Sequence, residues 1–93
     1  MLLGALERHD QRRGGELVHT LAVFLRSSGG LSETASVLGV HRNTVSYRVN
    51  RIAELSGRDL GDPRARLLFE VALAIRDIER AKQDISASAS AGR

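Results

Sequence analysis

A chain of 93 residues has room for one modest hydrophobic core and not two, because a domain of this size buries roughly 60–65% of its unfolded surface. Its 14 basic residues outnumber 11 acidic ones, a net charge of +3, and cysteine is absent. Disulfide frameworks and thiolate metal sites are therefore excluded, and a polyanionic partner is allowed. No apolar run approaches the roughly 20 residues of a membrane span, and Met1-Leu2-Leu3 has neither the basic flank nor the length of a signal sequence. The expected setting is the cytoplasm, with no membrane partner.

Proline occurs once, at position 63, and apolar residues recur at helical rather than alternating spacing, so an all-α, compact helical bundle is expected. Residues 1–14 read as a linker or a short N-terminal helix closed by Gly14-Gly15. Residues 16–28 form a helix with Leu17, Leu21, Phe24 and Leu25 on one stripe. Ser28-Gly29-Gly30 stops it. A short helix follows over 32–38, with Ser32 as its cap and Gly39 at its end. The next helix starts at His41 or Arg42 and runs to Ser56, with Gly57 beyond it. Asp62-Pro63 reads as N-cap and first helical residue of a last helix that ends near Asp84. The alternating Ser and Ala of 85–93 are expected to be a disordered tail, which leaves 15–84 as the functional domain.

Residues 31–57, LSETASVLGVHRNTVSYRVNRIAELSG, meet the needs of a helix-turn-helix. Two helices crossing steeply with a short joint want a small residue at the crossing and one that tolerates positive φ at the turn. Ala35 and Gly39 stand four positions apart to supply these, and Val37, Leu38, Val40 and Val45 fill the inner angle. At about 100° per residue, Val45, Val49, Ile52 and Leu55 form the back of the second helix. Asn43, Tyr47 and Asn50 form its front, with Thr44, Ser46 and Arg51 beside them and Arg42 and Arg48 at the margins. No acidic residue occurs over 41–53.

An apolar back, a hydrogen-bonding front and basic edges suit major-groove reading. Arg42, Asn43, Ser46, Tyr47 and Asn50 are the candidate base readers, and Ser32, His41, Thr44, Arg48 and Arg51 the candidate phosphate contacts. An asparagine can bond an adenine edge and an arginine a guanine edge in bidentate fashion, while short hydroxyls suit phosphates. Structural roles compete: an N-cap for His41, a packed ring for Tyr47, and for Arg48 an ion pair with a carboxylate such as Glu33 or Glu54.

The run His41-Arg42-Asn43-Thr44-Val45-Ser46-Tyr47-Arg48-Val49, followed by Ile52, Leu55 and Ser56-Gly57-Arg58-Asp59-Leu60, resembles the C-terminal helix-turn-helix of the purine-catabolism and sugar-diacid regulators (PucR/CdaR-like). The likeness takes in Glu16-Leu17, Thr20-Leu21, Phe24-Leu25, Glu33-Thr34-Ala35 and Asp62-Pro63-Arg64, roughly residues 10–80. The turn and second helix also resemble, more loosely, Fis-type nucleoid proteins. The resemblance implies sequence-specific DNA binding by a bacterial transcriptional regulator whose sensory domain lies upstream and is missing from this chain. Asn50 departs from the pattern, since a basic residue is common there.

Other readings are weaker. His9, His19 and His41 share no ligand spacing, so no metal or cofactor is expected. Neither a nucleophile–base arrangement nor a phosphate-binding glycine loop is present, so no enzyme is expected. Three aromatics are too few for the stacking surfaces of single-strand RNA readers. The alternative to DNA binding is a helical protein-interaction or dimerisation module. In the last helix Leu67, Leu68, Val71, Ala72, Ile75 and Ile78 make the expected core stripe. Phe69 and Leu73 point elsewhere, either covered by other helices or forming a dimer or interdomain contact. Reading two half-sites implies a homodimer.

Overall fold

The computed structural model describes residues 2–14, 16–28 and 30–91, with side chains through Ile85. Five helices follow one another: α1 (Gly4–Arg13), α2 (Leu17–Arg26), α3 (Leu31–Leu38), α4 (Arg42–Ser56) and α5 (Pro63–Ala91). No strand occurs among the described residues, and the chain is an all-α bundle as its periodicity requires.

Helix α2 is the hub, touching each of the other four helices. Its composition explains why. Besides Leu17, Leu21 and Phe24 of the expected stripe, Val18, Thr20 and Val23 are also buried, and a helix apolar nearly all round is one with neighbours on all sides.

Helix α1 belongs to this core. Leu3 and Leu6 are buried in it, and Asp10 closes the junction chemically. Its carboxylate accepts the backbone N–H of Leu17 at 2.9 Å and of Val18 at 3.1 Å. Two of the unpaired donors at the start of α2 are thereby satisfied by a negative charge that also suits the helix dipole. Gly14, at φ +62°, turns the chain out of α1. Of the two readings of residues 1–14, a linker or a short N-terminal helix, the structure has the helix, packed on the core.

Helix α5 starts as expected, with the Asp62 carboxylate accepting the Arg64 N–H at 3.0 Å. Its orientation reverses the expectation. Phe69 is fully buried, Ala65 nearly so, and Leu73 and Ala72 lie half-buried against the core. Leu67, Leu68, Val71, Ile75 and Ile78 are instead 45–60% exposed. The helix is apolar on two sides, and periodicity favours the longer stripe. The docking is set by other means: Arg66 Nε donates to the Leu60 carbonyl at 2.6 Å, and Arg76 Nε to Glu7 Oε2 at 3.1 Å. These anchors turn Phe69 inward, so it offers no surface to a second protomer or another domain, and Leu73 is largely committed to the same side. The helix continues to Ala91, where a disordered tail is expected; alanine is the strongest helix former and serine does not break a helix. Gly92 and Arg93 lie outside the described residues.

Candidate nucleic-acid interface

The joint between α3 and α4 is three residues long. Gly39 takes φ +70°; its N–H donates to the Ser36 carbonyl at 3.3 Å and the Val40 N–H to the Ala35 carbonyl at 3.1 Å. These are the two hydrogen bonds of a Schellman ending. A Cβ on Gly39 meets nothing within 4 Å, so glycine is needed there for its backbone alone. Ala35 is buried, and Leu38 and Val40 pack on the core.

Two expectations for α3 fail. Val37 is 66% exposed rather than filling the inner angle. Ser32 is not the cap, because the helix starts at Leu31 after Gly30 and has no side-chain cap bond. Ser32 stands exposed in the first turn, and it is the buried Thr34 hydroxyl that bonds the Gly30 carbonyl, at 2.6 Å.

His41 caps α4. It is extended (φ −70°, ψ 148°) and its Nδ1 accepts the Asn43 N–H at 3.0 Å. Behind the helix, Val45 and Ile52 are fully buried, and Val49 and Leu55 pack beside them. In front, Arg42, Asn43, Tyr47 and Asn50 are exposed, with Thr44 and Ser46 half-buried. Tyr47 keeps 65% of its surface in solvent, so its ring is not tucked against a neighbour. Gly57, at φ +69°, closes the helix with its N–H on the Ala53 carbonyl at 2.9 Å.

The three arginines divide. Arg42 projects from the first turn. Arg51 lies at the side of the front, its Nη1 3.5 Å from Glu54 Oε2. Arg48 turns inward: its Nη1 donates to Thr20 Oγ1 at 3.2 Å and lies 3.6 Å from Glu16 Oε2. Its Nη1 is thus engaged on α2, and the carboxylate beside it is Glu16. Glu16, at the start of α2, suits the helix dipole, whereas the role of Asp10 rests on contacts seven and eight positions away, its one sequence signal being a carboxylate ahead of a Gly-Gly break and a new apolar helix. Among the described residues no cluster of three or more His, Cys, Asp or Glu side chains forms a metal site.

Comparison with known proteins agrees with this geometry. Residues 17–75 match the family described as the PucR C-terminal helix-turn-helix domain. The purine catabolism regulatory protein of Bacillus subtilis (strain 168) is 42% identical over 66 residues, covering 71% of this chain and 12% of the relative. The carbohydrate diacid regulator of Escherichia coli (strain K12) is 48% identical over 66 residues, covering 71% and 17%. The proline-responsive transcriptional activator PutR of B. subtilis is 34% identical over 64 residues, covering 69% and 16%. The chain thus spans less than a fifth of the length of each of these three relatives. No solved structure matches it significantly. With the match running from the hub helix through the turn and α4 into α5, the chain belongs to the PucR C-terminal helix-turn-helix domain family.

Proposed function

We propose that this domain is the DNA-reading end of a longer bacterial transcription regulator, working in the cytoplasm, with α4 inserted in the major groove. Arg42, Asn43, Ser46, Tyr47 and Asn50 face base edges; Ser32, His41, Thr44 and Arg51 serve the phosphates. Arg48 is excepted and positions α4 on α2. The observation that carries this reading is the split of α4: a fully buried Val45–Ile52 back against an exposed, carboxylate-free front over 41–53. A helix held that firmly by its back presents its front as a rigid reading edge. Asparagine and arginine there have the donor and acceptor geometry for adenine and guanine, and the cations displace counterions from phosphates.

One helix-turn-helix covers only a few base pairs, so two copies acting on two half-sites complete the reading. The sensing function lies in an upstream domain, in keeping with the far greater length of the relatives. Selection of sites from random duplex DNA at two salt concentrations tests the proposal. A palindromic motif is expected, bound with a steep salt dependence. Recovery of no motif, with equal affinity for every duplex, overturns it.

A further inference from the structure

The reversed orientation of α5 leaves an apolar seam without a partner. Leu68, Val71, Ile75, Ile78 and Ile85 are each 45–70% exposed, and with Lys82 they repeat at intervals of three and four residues. That is the a/d pattern of a coiled-coil seam, unbroken over about 26 Å of helix. With Leu67 the exposed apolar area is about 600 Å², at the top of the range for the largest patch on a typical monomer.

We infer that α5 pairs with α5 of a second copy of this chain, antiparallel, along this seam. The pairing deepens the two-copy reading above by naming its surface, and it rests on α5 alone. Three observations select this occupant. Two such stripes face to face can bury up to about 1,200 Å², which reaches the lower bound of a specific stable interface. A partner must supply a straight helix of the same length and spacing, and a second α5 does. Orientation follows from charge: a parallel pair sets Lys82 against Lys82, whereas an antiparallel pair lays its stem over Val71 and lets the ammonium reach the rim.

One flank fits as well. Ala74 and Ala81 border the seam on one side and are exposed, so the helices can approach closely there. Beside Ile75, a cleft of about 240 Å³ between α1 and α5, lined by Leu2, Leu3, Ala72 and Glu79 among others, opens at the centre of the seam. Centring the pair between Ile75 and Ile78 puts Ile78 of the second copy opposite Ile75 and next to this cleft.

Sedimentation equilibrium of the 93-residue chain, beside an Ile75→Glu, Ile78→Glu variant, tests the surface. A dimer is expected whose dissociation constant rises at least about 100-fold in the variant, with helical circular dichroism and affinity for a single half-site unchanged. The absence of cysteine allows a second test that does not depend on affinity. Mixed Leu68→Cys and Ile85→Cys chains should form the mixed disulfide and neither homodisulfide, because a bridge needs Cα atoms within about 7 Å. A chain that stays monomeric at high concentration overturns the inference, and so does a Leu68→Cys homodisulfide. A dimer indifferent to the two glutamates overturns the surface while two-copy DNA reading survives. Loss of half-site binding in the wild-type chain sinks the DNA reading separately.

Discussion

Arg48 and Thr20 join α4 to the hub of the fold: Nη1 lies 3.2 Å from a fully buried threonine hydroxyl. The nearby Glu16 carboxylate, 60% exposed at 3.6 Å, adds little, as exposed ion pairs do. Arg48→Met keeps the packing of the stem and leaves the Thr20 hydroxyl without this donor, so it should cost about 1–2 kcal/mol in urea denaturation. Glu16→Gln should cost less than about 0.5 kcal/mol. The dependence of DNA affinity on salt should be the same for Arg48→Met as for wild type. A slope lower by about one unit means that Arg48 reaches a phosphate after all.

Arg42 and Asn43 stand next to each other at the start of α4 and are expected to fail differently. Asn43→Ala should lose about 1–3 kcal/mol on the selected site and relax preference at one base pair. Arg42→Ala, if its contact is to a phosphate, weakens every sequence alike and lowers the salt slope by about one unit; if to a guanine, it behaves like Asn43→Ala. Both side chains are exposed, so stability should stay within about 0.5 kcal/mol of wild type. Competition binding against single-base variants of the site separates these outcomes. Unchanged affinity in both variants means that another face of α4 enters the groove.

The junction between α1 and α2 predicts where the domain begins. A fragment starting at residue 15 loses the burial of Leu3 and Leu6 and the Asp10 carboxylate. Two leucines alone account for about 3–6 kcal/mol, a large share of the stability of a domain of this size. Asp10→Ala in the whole chain should cost about 1–2 kcal/mol, as a lost cap does. Full stability of the shorter fragment in urea removes α1 from the core.

What the sequence made legible follows from how locally each feature is determined. Gly39, Gly57 and Asp62-Pro63 act within one turn of themselves, and the helix ends they mark are where they were expected. The faces of α4 could be sorted because its polar and apolar residues divide cleanly at helical spacing. Arg48 could not, since it stands at the margin and its partner Thr20 is 28 positions away on a helix whose orientation no local signal encodes. Ser32 departs from its expected role for a nearer reason: a serine beside a helix start is a good cap, but Gly30 holds that position. For α5 two apolar faces competed, and only the anchoring of Arg66 and Arg76 decides between them.

That decision about α5 has a direct energetic test. Phe69 is fully buried in the core while Val71, on the opposite side, is half exposed. Phe69→Ala leaves a cavity in the core cluster to which it belongs and should cost about 3–5 kcal/mol, enough to bring the domain close to unfolding. Val71→Ala should cost less than about 1 kcal/mol, provided the protein is dilute enough for copies to be separate, because little of the valine leaves water in the single chain. The contrast is measured by urea denaturation at low concentration. Raising the concentration should then increase the penalty of Val71→Ala and leave that of Phe69→Ala nearly constant, since only the valine side faces a second copy. If Val71→Ala is the costlier change in the dilute chain, α5 lies on the bundle by its longer stripe, and the exposed seam disappears with that result.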